Sequence, residues 1–128
     1  MGIETMMDRV EEFERDGKNF VYIDFSGLTA TDDISQAIDR AKAVICSHQI
    51  RSVFTITNLD GLRFDNETKD LIIPYTEGNQ PYVIAGAIIK LDDFKKSIAE
   101  TVFAVSGRKE LIIMDTKEEA IQFFISKF

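Results

Sequence analysis

Uncharged, mostly apolar residues follow one another without interruption from Val83 to Ile89. A strand with one face in water alternates apolar and polar residues, so this run predicts a strand that is buried on both faces, as in the middle of a parallel sheet. At its centre, Ala85, Gly86 and Ala87 are small enough to let a helix approach the sheet closely. Because glycine weakens an isolated strand, packing on both sides is expected to hold this one in place.

Three further segments have the length and composition of β-strands, and helical patterns separate them. They are residues 20–25, 53–57 and 111–114. Between the first two, apolar residues recur at helical spacing from Ile34 to Ile45 and predict an amphipathic helix. Further helices are predicted after Asp65 or Asn66, over about residues 92–107, and after Thr116, which begins a capping-box sequence.

The first residues of the chain also carry a helical pattern. Within residues 3–16, Met6, Val10 and Phe13 are apolar and mostly acidic residues lie between them, while Gly17 is positioned to end a helix. We therefore predict an N-terminal amphipathic helix within residues 1–18. It either packs against the sheet of its own domain or forms the contact of a homodimer.

The alternation of strands and helices indicates one α/β domain over residues 1–128. A chain of 128 residues buries enough surface to fold without a disulfide or a metal ion. We expect a four-stranded, mainly parallel sheet with right-handed crossovers and helices on both faces. In the expected strand order, residues 20–25 and 83–89 form the middle, and residues 53–57 lie at an edge.

Charge and composition narrow the classes of partner. The net charge is −7 and Lys and Arg do not cluster, which argues against nucleic acid and against anionic membranes as partners. No apolar run is long enough for stable membrane insertion, and the start of the sequence lacks the basic and apolar blocks of a signal peptide. Cys46 is the only cysteine, so no intrachain disulfide can form. These features predict a cytoplasmic protein.

Two segments carry a resemblance to a known family. Residues 20–33 read Phe-Val-Tyr-Ile-Asp-Phe-Ser-Gly-Leu-Thr-Ala-Thr-Asp-Asp, and residues 114–121 read Met-Asp-Thr-Lys-Glu-Glu-Ala-Ile. With the apolar run between them, they resemble the strand, Gly-x-Thr turn, acidic helix start and closing helix of the STAS-like family, which is related to the anti-sigma-factor antagonists. The resemblance covers about residues 20–125. It implies a STAS-like fold and a regulatory role through protein contact, and the related CRAL-TRIO fold implies lipid binding.

The sequence departs from the family pattern at two points. The family's phosphorylated serine lies in a loop after the second main strand, but the matching residues 57–64 contain no serine, and Thr57 and Thr68 are the nearest hydroxyl groups. The phosphorylation site is therefore not carried over to this chain. The predicted N-terminal helix also stands where the family has a leading strand.

Polar residues follow the predicted strands. Parallel α/β sheets bind ligands at the carboxyl ends of their strands. The loops expected there contain Ser26, Thr29, Thr57 and Lys90, which could form the polar rim of a ligand site. Residues of these loops are also common helix caps and turn formers, so the pattern has a purely structural explanation as well.

The titratable residues do not predict a catalytic centre. Asp24, Asp60 and Asp115 could together hold Mg²⁺ as in phospho-receivers, but a receiver needs an aspartate at the end of its third strand, where this chain has Lys90. Neither the only cysteine nor the only histidine has a catalytic partner in the sequence, and Gly-rich phosphate loops are missing. We therefore expect no enzymatic activity, no cofactor and no metal ion.

The function predicted from these patterns is that of a non-catalytic regulatory or protein-interaction module. Its surface is expected in the loop and short helix after the second predicted strand. There, exposed Leu62, Phe64 and Tyr75 are expected beside Asn58 and Asp60. The partner is another protein or a second copy of the chain. The alternative is a binder of a small molecule or lipid, with an apolar pocket between sheet and helices.

Overall fold

The computed structural model describes residues 9–92, 96–97, 100 and 111–128. In these ranges the strands are β1 (Val10–Arg15), β2 (Lys18–Asp24), β3 (Val53–Asn58), β4 (Val83–Ile89) and β5 (Leu111–Met114). The helices are α1 (Thr31–Cys46), α2 (Asn66–Asn79), a short 3₁₀-helix (Gln80–Tyr82) and α3 (Lys117–Lys127). None of these helices is long and apolar enough to cross a membrane. The helix predicted over about residues 92–107 lies mainly outside the described residues.

The N-terminal segment forms a β-hairpin in place of the predicted helix. β1 pairs antiparallel with β2 along its whole length. Asp16 and Gly17 connect the two strands with φ angles of 54° and 77°. Two-residue turns with positive φ at both positions match the twist of a hairpin, and Asp-Gly is a favoured sequence for them. The prediction of a helix is therefore wrong over Val10–Arg15, and its first residues, 3–8, lie outside the described ranges.

The spacing of Val10 and Phe13 is compatible with both a helix and a strand. Three positions are almost one helical turn, but in a strand they place two side chains on opposite faces. Val10 is buried in the core on one side of the sheet. Phe13 lies on the other side, where its ring stacks on that of Phe20 with the centroids 5.2 Å apart. Only the pairing with β2 distinguishes the two interpretations.

Strands that are neighbours in the sheet are also neighbours in the chain, in the order β1-β2-β3-β4-β5. β1 is antiparallel to β2, whereas the strands from β2 to β5 are parallel. An α/β fold with a mostly parallel sheet is thus confirmed. The predicted strand number and order are wrong, because the sheet has five strands and β3 lies between β2 and β4. Each crossover leads to the adjacent position, which is the commonest connection in α/β sheets.

Helices cover both faces of the sheet, as predicted. Right-handed crossovers that advance in one direction place their helices on the same face, and α1 and α2 accordingly pack against each other. The core on their side includes Val21, Ile23, Ile34, Ala37, Ile45, Val53 and Val83. α3 covers the opposite face, where the core includes Phe20, Phe54, Ile56, Ala87, Ile121 and Phe124.

The predicted burial of β4 is confirmed. Val83 belongs to the core beside α1 and α2, whereas Ala85, Ala87 and Ile89 belong to the core beneath α3. The strand therefore has protein on both sides, which explains why its sequence shows no polar alternation.

The C-terminal helix is attached to the hairpin through its first turn. The Thr116 hydroxyl accepts a hydrogen bond from the Glu119 N–H at 3.2 Å, which confirms the predicted N-cap. The Lys117 ammonium lies 5.1 Å from the ring centroid of Phe13 and 4.3 Å from that of Tyr22. Cation–π attraction at these distances helps to hold the start of α3 over β1 and β2.

Candidate functional site

The loops after β2 and β3 form one connected surface at the carboxyl ends of the parallel strands. The Gly27 N–H donates to the Asp60 carbonyl at 2.8 Å. Arg63 reaches from the second loop to the first, where its Nη1 donates to the Thr29 carbonyl at 2.6 Å and its Nη2 to the Thr31 hydroxyl at 2.9 Å. These bonds hold both loops in a fixed position beside the start of α2.

Asp65 caps α2 at this surface. Its Oδ1 accepts a hydrogen bond from the Thr68 N–H at 2.9 Å, which satisfies a free donor in the first helical turn. The Arg63 Nε lies 3.0 Å from the Asp65 Oδ2. The bond from Thr68 and, to a lesser extent, the Arg63 charge hold the pKa of Asp65 below its ordinary value, because both favour the ionised carboxylate.

We expect the capping contribution of Asp65 to be present at neutral pH and lost in acid. Because its pKa is lower in the folded state than in the unfolded chain, the contribution disappears as the pH falls below about 4 and through the folded-state pKa. The difference in Tm between the wild type and Asp65→Ala should therefore shrink over that window. Asp39→Ala, which removes an exposed carboxylate from the middle of α1, is the control. A Tm difference for Asp65→Ala that does not change with pH would contradict the expectation.

The apolar residues of the predicted interaction surface are not exposed as expected. Leu62 and Tyr75 are only 2% and 8% exposed and belong to the core beside α1 and α2. Phe64 is half-buried against the same core. Tyr75 lies on the inward side of α2, where its ring packs edge-on against that of Phe25 with the centroids 6.0 Å apart. The prediction of exposure is wrong for Leu62 and Tyr75, because the loop and helix fold their apolar side onto the sheet.

The two polar residues of that predicted surface have different roles. Asn58 is half-buried, and its side chain donates to the Tyr22 hydroxyl at 3.2 Å and accepts from the Asp60 N–H at 2.9 Å. It therefore shapes the turn after β3. The Asp60 side chain is exposed and is available for contact with a partner.

The four residues predicted to form a ligand rim also have different roles. The Ser26 N–H donates to the Asp24 Oδ1 at 2.8 Å in the turn after β2. Thr29 and Lys90 are exposed. Thr57 alone among the four is buried, and its side chain lines a cavity. The explanation that these residues are turn formers thus fits Ser26, whereas Thr57 belongs to a candidate binding site.

This cavity lies between α2 and the sheet and has a volume of about 60 Å³. Its lining is mostly apolar. The apolar residues are Phe25, Ile45, Leu59, Phe64, Ile72, Val83, Ile88 and Leu111. The polar residues are Thr55, Thr57, Tyr75, Thr76 and Asn79. Among the described residues, none with a charged side chain lines it, so the cavity suits neutral groups.

Asn79 is the most unusual polar residue of the lining. It is 4% exposed, and within the described part of the chain its Oδ1 has no hydrogen-bond partner. Neither Asn79 nor Thr55 was singled out in the sequence. A signal for Thr55 was present, because Thr55 and Thr57 alternate with the apolar Phe54 and Ile56 and therefore share one face of the strand. Asn79 carries no such signal, since its position depends on where α2 ends against the sheet.

The titratable residues do not gather into a metal centre in the part of the chain that the structure describes. His48 Nε2 lies 2.6 Å from Glu12 Oε1, and Cys46 is half-buried. The described residues thus offer a neutral cavity beside an anchored loop surface. A scan against models of protein families finds no match, and searches of curated proteins and of solved structures find none either.

Proposed function

We propose that the protein is a non-catalytic regulatory module of the STAS-like type that acts by binding another protein or a second copy of itself. The observation that carries the proposal is the strand Val10–Arg15, which stands where the family has a leading strand. This strand removes one of the two departures from the resemblance. The other departure, a loop without serine, remains, so phosphorylation of that loop is not part of the proposal.

The outward side of α2 is the surface on which the partner is expected to bind. Asp70, Ile73, Pro74 and Glu77 are three or four positions apart and therefore lie on one side of the helix. The Asp70, Pro74 and Glu77 side chains are exposed, and Ile73 is half-exposed. We call these four residues the acidic face of α2. Two carboxylates around an apolar patch favour a partner with basic residues around its own apolar contact.

Charge reversal on this face tests the proposal. Asp70→Arg should lower the amount of bound partner, or of dimer, by about tenfold, because it replaces an attractive charge by a repulsive one. Asp39→Arg makes the same change at an exposed aspartate of α1 and should leave binding unchanged. Binding is measured by affinity capture with quantitative mass spectrometry, and self-association by light scattering. Equal effects of the two variants, with both folded, would exclude the acidic face of α2 as the binding surface.

A second candidate function, binding of a small molecule, is favoured by the cavity beneath α2. The cavity lies between the sheet and a helix, which is where the sequence places the alternative pocket. Native mass spectrometry of the freshly purified protein tests this candidate. A retained extra mass on each chain supports it, whereas chains without extra mass speak against a tightly held ligand.

A further inference from the structure

We propose that the cavity between α2 and the sheet binds a small neutral molecule that has an apolar body and an O–H or N–H donor. The proposal rests on the ligand-binding candidate and specifies its ligand. It does not depend on the acidic face of α2.

The requirement for a donor comes from Asn79. Its Oδ1 is a strong acceptor, and among the described residues it has no donor. An amide oxygen that is removed from water without a partner destabilises the folded protein, and replacing it by an apolar group of the same shape removes that cost. A donor on a bound molecule would complete the hydrogen bond that the described residues leave open.

Thr55 and Thr57 supply the other polar contacts. Both lie on the face of β3 that is turned to the cavity, and both are buried. A threonine hydroxyl donates and accepts, so each can bind either an oxygen or a donor of the ligand. On the opposite face, the same strand carries the apolar Phe54 and Ile56 and, at its end, Asn58, whose side chain donates to the Tyr22 hydroxyl. Thr55 and Thr57 are the polar side chains of this strand that face the cavity.

The uncharged lining and the small volume of the cavity further restrict the class of ligand. A carboxylate or phosphate buried here would have no cation among the described lining residues, which disfavours fatty acids and phospholipids. The volume of about 60 Å³ is enough for several water molecules and far below that of a drug-sized pocket. The geometry thus favours an alcohol, a phenol or a primary amide of few atoms over a lipid.

Two matched pairs of probes test this chemistry. Phenol and toluene have similar size, but phenol has a hydroxyl group where toluene has a methyl group. Butyramide and butyrate differ in charge. Each is titrated into ¹⁵N-labelled protein at millimolar concentrations, and amide chemical shifts are followed. Phenol should bind about tenfold more tightly than toluene, because it gains one hydrogen bond. Butyramide should bind, and butyrate should not.

Substitution of Asn79 tests the same hydrogen bond from the side of the protein. In Asn79→Leu, the phenol affinity should fall about tenfold, to that of toluene, since the acceptor is lost. The Tm of the ligand-free variant should not fall, because the variant removes an unpartnered buried amide. Asn19→Leu, at an exposed position of β2, is the control and should leave both affinities unchanged.

The outcomes separate this proposal from the candidate function on which it rests. Equal affinities for phenol and toluene, or shift changes remote from Thr55, Thr57 and Asn79, would overturn it and leave ordered water as the partner of Asn79. If no probe binds but native mass spectrometry shows a retained mass, the proposed ligand chemistry is wrong and the ligand-binding candidate stands. If no probe binds and native mass spectrometry shows no retained mass, both the proposed ligand chemistry and the ligand-binding candidate are wrong.

Discussion

Replacing Phe124 by alanine is expected to lower the free energy of unfolding by about 3–5 kcal/mol. The Phe124 side chain is fully buried between α3 and the sheet. Its ring centroid lies 5.0 Å from that of Phe54 and 6.5 Å from that of Phe20. The substitution removes these contacts and leaves a cavity beneath α3. Because a domain of this size is stable by only about 5–15 kcal/mol, the loss is a large share of the total.

Phe128→Ala is the matched control for this prediction. Phe128 is 54% exposed, although its ring also contacts that of Phe54 with a centroid distance of 5.3 Å. Less apolar area is buried there, so the expected loss is below about 1.5 kcal/mol. Equilibrium urea denaturation of both variants measures the two losses. A similar loss for both would show that α3 is not held by the buried ring.

Replacing Gly86 by valine is expected to destabilise the protein by about 1–3 kcal/mol, even though valine favours strands. A Cβ at this position would lie 2.7 Å from the Thr55 Oγ1 and 2.8 Å from the Leu111 Cδ2. Thr55 is β-branched and lies in the middle strand, so it can move little. Position 86 therefore requires glycine, because side chains from the two neighbouring strands occupy the space that a Cβ would need.

Two further variants control the Gly86 experiment. Gly78 lies in α2, and an added Cβ there meets no atom within 4 Å. Gly78→Ala should therefore stabilise the protein, by up to about 1 kcal/mol. Gly86→Val combined with Leu111→Ala should lose less stability than the sum of the single losses, because the second change removes one clash. An additive loss in urea denaturation would contradict the steric explanation.

Two predictions about the residues of the candidate site depend on tertiary structure to different degrees. Thr57 was identified because polar residues at the ends of parallel strands are ligand contacts in many α/β proteins, and it lines the cavity. Leu62 and Tyr75 were expected on the surface because they lie near a loop, but tertiary packing buries them. Exposure depends on which residues cover a side chain, and those residues are distant in the sequence.

Local sequence patterns were enough to predict the class of the fold. Uninterrupted apolar residues identified β4, helical periodicity identified α1, and a local capping pattern identified the start of α3. Each of these signals depends on interactions within a few neighbouring residues, so it can be recognised in a short stretch of sequence. The mostly parallel sheet followed from the alternation of these elements.

Which segments of the chain pair with each other became clear only in the folded protein. It made Val10–Arg15 a strand by pairing it with β2, and it placed β3 between β2 and β4. It also left Asn79 at the cavity without a partner for its Oδ1 among the described residues. The physical reason is that strand pairing, burial and close approach depend on contacts between residues far apart in the chain. The spacing of residues within one segment does not specify such contacts.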